Sequence, residues 1–298
     1  TVLDLGTDAV ADRVVVGDTL GRVWEFDIAG NPVGTQAVGG AYRLVGRERT
    51  GFGLGGRVTR FVGRRHEIEL LRSRFDSAVS GQGQVVGIVG EAGIGKSRLL
   101  FEFRQSLEGQ RVTYLEGHCL SYGSAIPYLP VLDILKASCG ITEADTPEAM
   151  TEKVHVGLEE VGMERVEWAP SLLHLLGLKD GTDRLALLSP EVIKTRIFET
   201  LRQMSLRRSR QTPLIILVED LYWIDKTSEE YFASLAEVGA GARILLVSTY
   251  RPGYRPPWIE KSYATQIALQ PLAPEDSLSV VHSLLATDQV ADSLVEVI

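Results

Sequence analysis

Apolar residues recur along this chain in two patterns. Short, nearly continuous runs at Gln84–Val89, Leu214–Val218 and Ile244–Val247 predict buried strands, with further strands over Arg111–Glu116 and Ile267–Leu269. Between the runs the period lengthens. Leu99, Leu100, Phe103 and Leu107 share one helix face and predict a helix over Lys96–Leu107. Ser189 as N-cap and Pro190 at the first position open a helix that runs to Ser209. Thr227–Val238 reads as a helix, and another begins at Asp276–Leu285. Ile126–Leu178 is mostly helical, interrupted by Pro127, Pro130, Pro147 and Pro170. Apolar strands alternating with helices imply an α/β fold, with a parallel sheet covered on both faces and a helical insertion.

The first 56 residues read differently. Val14–Val16 and Val23–Ile28 predict short strands with turn signals at Asp18 and Gly21, a small β-containing piece. Gly51, Gly53, Gly55 and Gly56 then read as a flexible linker. The expected division is residues 1–56 as N-terminal piece and linker, 57–270 as the core, and 271–298 as the start of a further helical part.

Composition narrows the class. The chain has 298 residues, 44% of them hydrophobic and 23% charged, which excludes wholesale disorder and a disulfide-stapled mini-protein. Cys119 and Cys139 lack metal or redox spacing, which fits a reducing, cytoplasmic setting. No apolar run approaches the roughly 20 residues needed to span a bilayer, so no membrane partner is expected. The chain opens at Thr1 without a basic, apolar leader, and a start without Met suggests a fragment or processed product. A net charge of −8 argues against nonspecific nucleic-acid binding. Arg202, Arg207, Arg208 and Arg210 are read as helix C-terminal cations that complement the macrodipole.

The chemistry concentrates at Gly90-Glu91-Ala92-Gly93-Ile94-Gly95-Lys96-Ser97, which fits G-x-x-x-x-G-K-[ST] between a strand and an amphipathic helix. Glycines let successive N–H groups turn toward phosphate oxygens, and the helix N-terminus adds partial positive charge. Lys96 suits the β and γ phosphates, and Ser97 can offer a hydroxyl to Mg²⁺. The strand Leu214–Val218 ends in Glu219 and Asp220. In P-loop proteins such a strand lies beside the loop, one acid holding the Mg²⁺ shell and its neighbour polarising the attacking water. Glu219 occupies the usual metal position and Asp220 the usual base position, the reverse of the common Asp–Glu order. The shorter base predicts slow hydrolysis, and which acid is the base stays open. Asp225 is read as a helix cap and Trp223 as packing.

Taken together, the loop, Val218-Glu219-Asp220-Leu221-Tyr222-Trp223-Ile224-Asp225 and Ser248-Thr249-Tyr250-Arg251-Pro252 resemble STAND-type AAA+ ATPases, signal-transduction ATPases with numerous domains. Leu115–Gly123 and Tyr250–Trp258 are similar to the ATPase module behind bacterial class III adenylate/guanylate cyclase domains, and the resemblance covers residues 58–298. It implies a P-loop NTPase fold that binds ATP or ADP with Mg²⁺, and a lid beginning after residue 270. Gly63 and Arg64, in Phe61-Val62-Gly63-Arg64, would touch adenine and ribose. Gly90 to Ser97, with Arg98, would hold the phosphates. Ser97, Glu219 and Asp220 would surround the metal. Arg251 would sense the γ-phosphate, with Lys96, Glu219 and Asp220 completing the catalytic set and Thr249 as a polar sensor. The implied partners are attached cyclase or other effector domains, and a homo-oligomer on activation. Val14–Asp18 and Tyr42–Gly46 resemble the tail of a cyclase domain, without its metal-binding residues.

The same residues bear on other functions. A GTPase needs an Asn/Thr-Lys-x-Asp segment, which is not found, and a kinase needs a lid and substrate site that are not recognisable. A zinc enzyme is disfavoured because His66, His118, His155, His174 and His282 lie far apart in sequence. A non-hydrolysing scaffold, and the ATPase core of a transcriptional regulator with its DNA-binding domain elsewhere, remain as alternatives.

Overall fold

The structure is a computed structural model. It describes residues 61–120, 126–178, 182 and 185–285, together with four strands between Leu3 and Gly34. The glycine linker at 51–56, the Tyr42–Gly46 segment, Ser121–Gly123 and residues 286–298 lie outside the described residues. The chain divides into two compact units, one of them Gly63–Ala273.

The other unit contains β1 (Leu3–Leu5), β2 (Arg13–Gly17), β3 (Val23–Asp27) and β4 (Pro32–Gly34), paired in that order as an antiparallel sheet. It also holds the helix Pro274–Leu285, which opens on Glu275 and Asp276, acids that suit a helix N-terminus.

The unit Gly63–Ala273 carries the α/β fold. Its strands are β5 (Gln84–Val89), β6 (Thr113–His118), β7 (Leu214–Glu219), β8 (Ile244–Tyr250) and β9 (Ala264–Ala268). They form one parallel sheet in the order β6-β7-β8-β5-β9. Helices α1 (Arg65–Val79) and α2 (Lys96–Ser106) meet through Phe75 and Phe103, edge to face at 6.5 Å. The insertion supplies α3 (Leu129–Cys139), α4 (Pro147–Glu160) and α5 (Arg165–Leu175), followed by α6 (Pro190–Gln211) and α7 (Lys226–Gly239).

The central strands β5, β7 and β8 are buried on both faces, as near-continuous apolar strands require. Val85, Leu214, Ile216, Ile244 and Leu246 join one cluster with residues of α3 to α7. Strand alternation sends Val86, Ile88, Ile215, Leu217, Leu245 and Val247 to the opposite face, and all six are buried. Each buried aliphatic side chain contributes about 1.5–3 kcal/mol, so these two layers hold the site rigid.

Several boundaries differ from the sequence reading. β8 runs three residues past Val247, because Ser248 and Thr249 are polar yet buried and bonded. β6 is shifted toward His118, where it pairs with the acidic end of β7. β9 starts at Ala264 and ends at Ala268. Helix α1 was not anticipated, although Leu71, Phe75 and Ala78 form its buried stripe. Pro170 lies inside α5 rather than interrupting it, and Pro130 and Pro147 stand in first turns, where a missing N–H costs little. Ser189 caps α6 as expected, accepting from the Val192 N–H at 3.4 Å. At the far end of α6, Arg202 pairs with Glu199, while Arg207 and Arg208 reach Gly162 O and Glu160, tying the helix to the insertion.

Candidate nucleotide site

The strand order decides what meets the loop. β8 lies between β5 and β7, so the acidic strand is not the loop strand's direct neighbour. It reaches the loop through a side chain at its end. Ser97 Oγ donates to Glu219 Oε2 at 2.9 Å, joining residues 122 positions apart. The loop leaves β5 at Val89 and becomes α2 at Lys96. Gly93 and Gly95 adopt φ of +79° and +100°, in the left-handed region where a side chain is strained. At Gly90 a Cβ would sit 2.8 Å from Ile94 Cγ2, so the turn's curvature requires glycine there.

Lys96 is buried, and its Nζ donates to Gly90 O and Glu91 O, each at 2.9 Å. Burial lowers its pKa. The negative charge of Asp220 opposes that shift and the guanidinium of Arg251 reinforces it, so both groups lie within electrostatic reach of the lysine. Glu219 moves the other way. Burial is the main cause, the neighbouring Glu116 adds to it and the Ser97 hydroxyl opposes it, and its carboxyl is pushed up to about 7.

Asp220 takes φ 57° and ψ 48°, a left-handed conformation uncommon outside glycine. Its N–H donates to Thr249 Oγ1 at 2.9 Å, so Thr249 fixes the turn that presents the acid. Arg251 follows β8 and lies over the Tyr222 ring, 5.8 Å from its centroid. Asp225 caps α7 by accepting from the Ser228 N–H at 2.9 Å, and Trp223 packs edge to face on Tyr222 at 4.9 Å. Arg64 is buried, paired with Glu67 at 3.0 Å and donating to Gln270 O. Gln270 follows Leu269, whose N–H bonds Val89 O beside the loop. Arg98 pairs with Glu102 at 2.7 Å.

The structure therefore gathers Lys96, Ser97, Glu219, Asp220 and Arg251 at the ends of β5, β7 and β8. Gly63 and Arg64 lie at the start of α1, where Arg64 is tied to the chain leaving β9. Sequence reasoning missed Glu116 and His118 at the end of β6. They stand at i and i+2, on one face of a strand, but only the pairing with β7 sets them beside Glu219. The donor set fits a polyphosphate with a hard divalent cation: a glycine cradle, a buried ammonium, and a hydroxyl beside a carboxylate.

Fold and site together define a P-loop nucleotide-binding α/β protein. A profile of the family described as AAA ATPase domain matches residues 60–247. The chain belongs to this family, and its phosphate loop is that of a nucleotide-binding ATPase. An uncharacterized protein of Rhizobium meliloti (strain 1021) is 31% identical over 217 residues, 72% of this chain and 21% of that protein. The chain thus spans about a fifth of that relative's length. Among solved structures, a STAND protein with a tetratricopeptide repeat sensor from Pyrococcus horikoshii is 17% identical, with a TM-score of 0.39 over 81% of this chain and 28% of that one. Drosophila ORC bound to DNA is 14% identical, with a TM-score of 0.46 over 79% of this chain and 49% of that one. Among the described residues, no helix is long and apolar enough to cross a membrane.

Proposed function

We propose that this chain binds ATP with Mg²⁺ and hydrolyses it slowly to ADP and phosphate, acting as a switch of the STAND type. The Ser97–Glu219 contact carries the reading. It brings a loop hydroxyl and a strand-end carboxylate together where a hard cation is held in phosphoryl-transfer sites. Ser97 and Glu219 would hold the metal, with Asp220 beside it; when bound, Mg²⁺ neutralises charge on the phosphate oxygens.

The loop N–H groups from Gly90 to Gly95 and the start of α2 attract phosphate oxygens. Lys96 supplies a buried positive charge. Asp220, set by Thr249, accepts a proton from the attacking water, and Arg251 offers a guanidinium to the terminal phosphate. Gly63 and Arg64 lie on the side assigned to adenine and ribose. A short base reaches the water less well than a glutamate, which accounts for slow turnover.

Such a switch works only if ATP and ADP prefer different conformations. Attached domains, a nucleotide cyclase among them, would read the difference, and a homo-oligomer would form on activation in the cytoplasm. The matched segment makes up only 21% of the Rhizobium meliloti relative, which is consistent with a multidomain setting. No direct nucleic-acid or membrane contact is assigned to this segment.

Phosphate release from Mg-ATP tests the chemistry. Lys96→Ala should abolish nucleotide binding, and Asp220→Asn should keep binding while slowing turnover by about 10²-fold or more. Binding without turnover in the wild-type chain would establish the scaffold alternative instead.

A further inference from the structure

Three potential metal donors meet at the ends of β6 and β7, and β6 flanks β7 on the edge opposite β8. Glu116 and His118 alternate onto one face of β6, and His118 stands in register opposite Glu219. Donor atoms of Glu116, His118 and Glu219 all lie within 4.8 Å of one another, and all three residues are only partly buried.

A fourth residue orients the imidazole. Asp133 of α3 lies 3.3 Å from His118 Nδ1, and the same oxygen accepts the His118 backbone N–H at 3.2 Å. The other ring nitrogen, Nε2, is left facing Glu116 Oε1 at 3.8 Å. A carboxylate on one imidazole nitrogen with a donor cluster at the other is the arrangement that fixes metal-binding histidines. Gly117 permits it: a Cβ there would lie 2.4 Å from Pro130 O, so only glycine lets α3 come close enough for Asp133 to reach the strand.

Charge points the same way. Glu116, Glu219 and Asp133 surround one imidazole. Arg104 reaches Glu116 only at 3.9 Å, from a side chain more than half exposed. A divalent cation would neutralise these carboxylates more fully than one imidazole and a distant guanidinium can.

We propose that Glu116, His118 and Glu219 bind a divalent transition metal of the zinc class, through His118 Nε2 and two carboxylate oxygens, with Asp133 orienting the imidazole. The imidazole separates this site from the hard oxygen set at Ser97, because Mg²⁺ favours oxygen donors and zinc accepts nitrogen. Three protein donors leave a coordination position open to water. Glu219 is common to both sites, so the zinc-class ion would compete with the Ser97 hydroxyl for this carboxylate.

The test uses the full chain free of nucleotide and in excess Mg²⁺, so it does not depend on the ATPase reading. Zn²⁺ is titrated calorimetrically, and Co²⁺ is followed by its visible absorption. One equivalent should bind with Mg²⁺ present, and saturating Zn²⁺ should raise the unfolding temperature. His118→Gln should weaken binding at least tenfold and remove the thermal shift. Asp133→Asn, which touches no metal, should weaken it about 10- to 100-fold and alter the Co²⁺ spectrum. Should His118→Gln fail to fold, Glu116→Gln provides the same comparison. Absence of binding, displacement by Mg²⁺, or unchanged affinity in the variants would overturn the proposal.

Discussion

Thr249→Val probes how the sheet presents the site's second acid. Thr249 is 1% exposed, and its hydroxyl accepts the Asp220 N–H at 2.9 Å. Valine keeps the shape and removes the acceptor, leaving a partly buried N–H unpaired at a cost of about 1–3 kcal/mol. The turn it supports holds Asp220 at φ 57°, a conformation costing about 1–2 kcal/mol for an L-residue, and the Trp223 N–H bonded to Asp220 O at 2.9 Å is another tie. A loss of about 2 kcal/mol in a unit of this size lowers the unfolding temperature by about 4–8 °C. The same change should slow ATP turnover while leaving ATP affinity within about twofold, because Lys96 and the loop are untouched. Thermal unfolding, nucleotide titration and phosphate release on one preparation read all three. Thr249→Ser should restore both stability and turnover. If valine unfolds within a degree of wild type and turns over normally, the hydroxyl does not position Asp220. If serine fails to restore them, the hydroxyl is not what holds the turn.

Two further outcomes follow from the same geometry. Asp225→Ala removes the α7 cap and should cost about 1 kcal/mol in denaturant unfolding, with Asp225→Ser recovering most of it; equal stability of all three would refute the capping role. Glu219 has its carboxyl raised from 4.5 to about 7, so between those pH values the folded chain holds a proton that the unfolded chain releases. Unfolding free energy should therefore fall as pH rises through that window, by up to about 3 kcal/mol. His118, raised by its bond to Asp133, adds a fall of the same sign above pH 6.5, so the decisive quantity is the difference between wild type and Glu219→Gln. The variant should flatten the curve between pH 4.5 and 7, and parallel curves would refute the assignment to Glu219.

Legibility followed the range of the interactions. The loop was readable because Gly93, Gly95, Lys96 and Ser97 are constrained locally, by φ and by the strand-to-helix turn. Ser189 and Asp225 were readable as caps for the same reason. The end of β8 was hidden because Ser248 and Thr249 look like surface residues, and only tertiary hydrogen bonds let them be buried. Helix α1 carries a clear Leu71, Phe75, Ala78 stripe amid many charges, a signal present in the sequence but passed over. The Glu116–His118–Glu219 cluster could not be read from spacing. It depends on β6 pairing with β7 in one register, across about 100 residues of intervening chain. The wide spacing of the five histidines says nothing of a cluster built from one histidine and two glutamates.

Whether the Gly90–Ser97 loop holds an adenine nucleotide can be read from what the freshly purified chain carries. Nucleotide released by denaturation is identified by chromatography, with Lys96→Ala as control. Bound ADP or ATP in the wild type, absent from the variant, is the predicted result. A guanine nucleotide, or an empty site that also refuses added Mg-ATP, would contradict it.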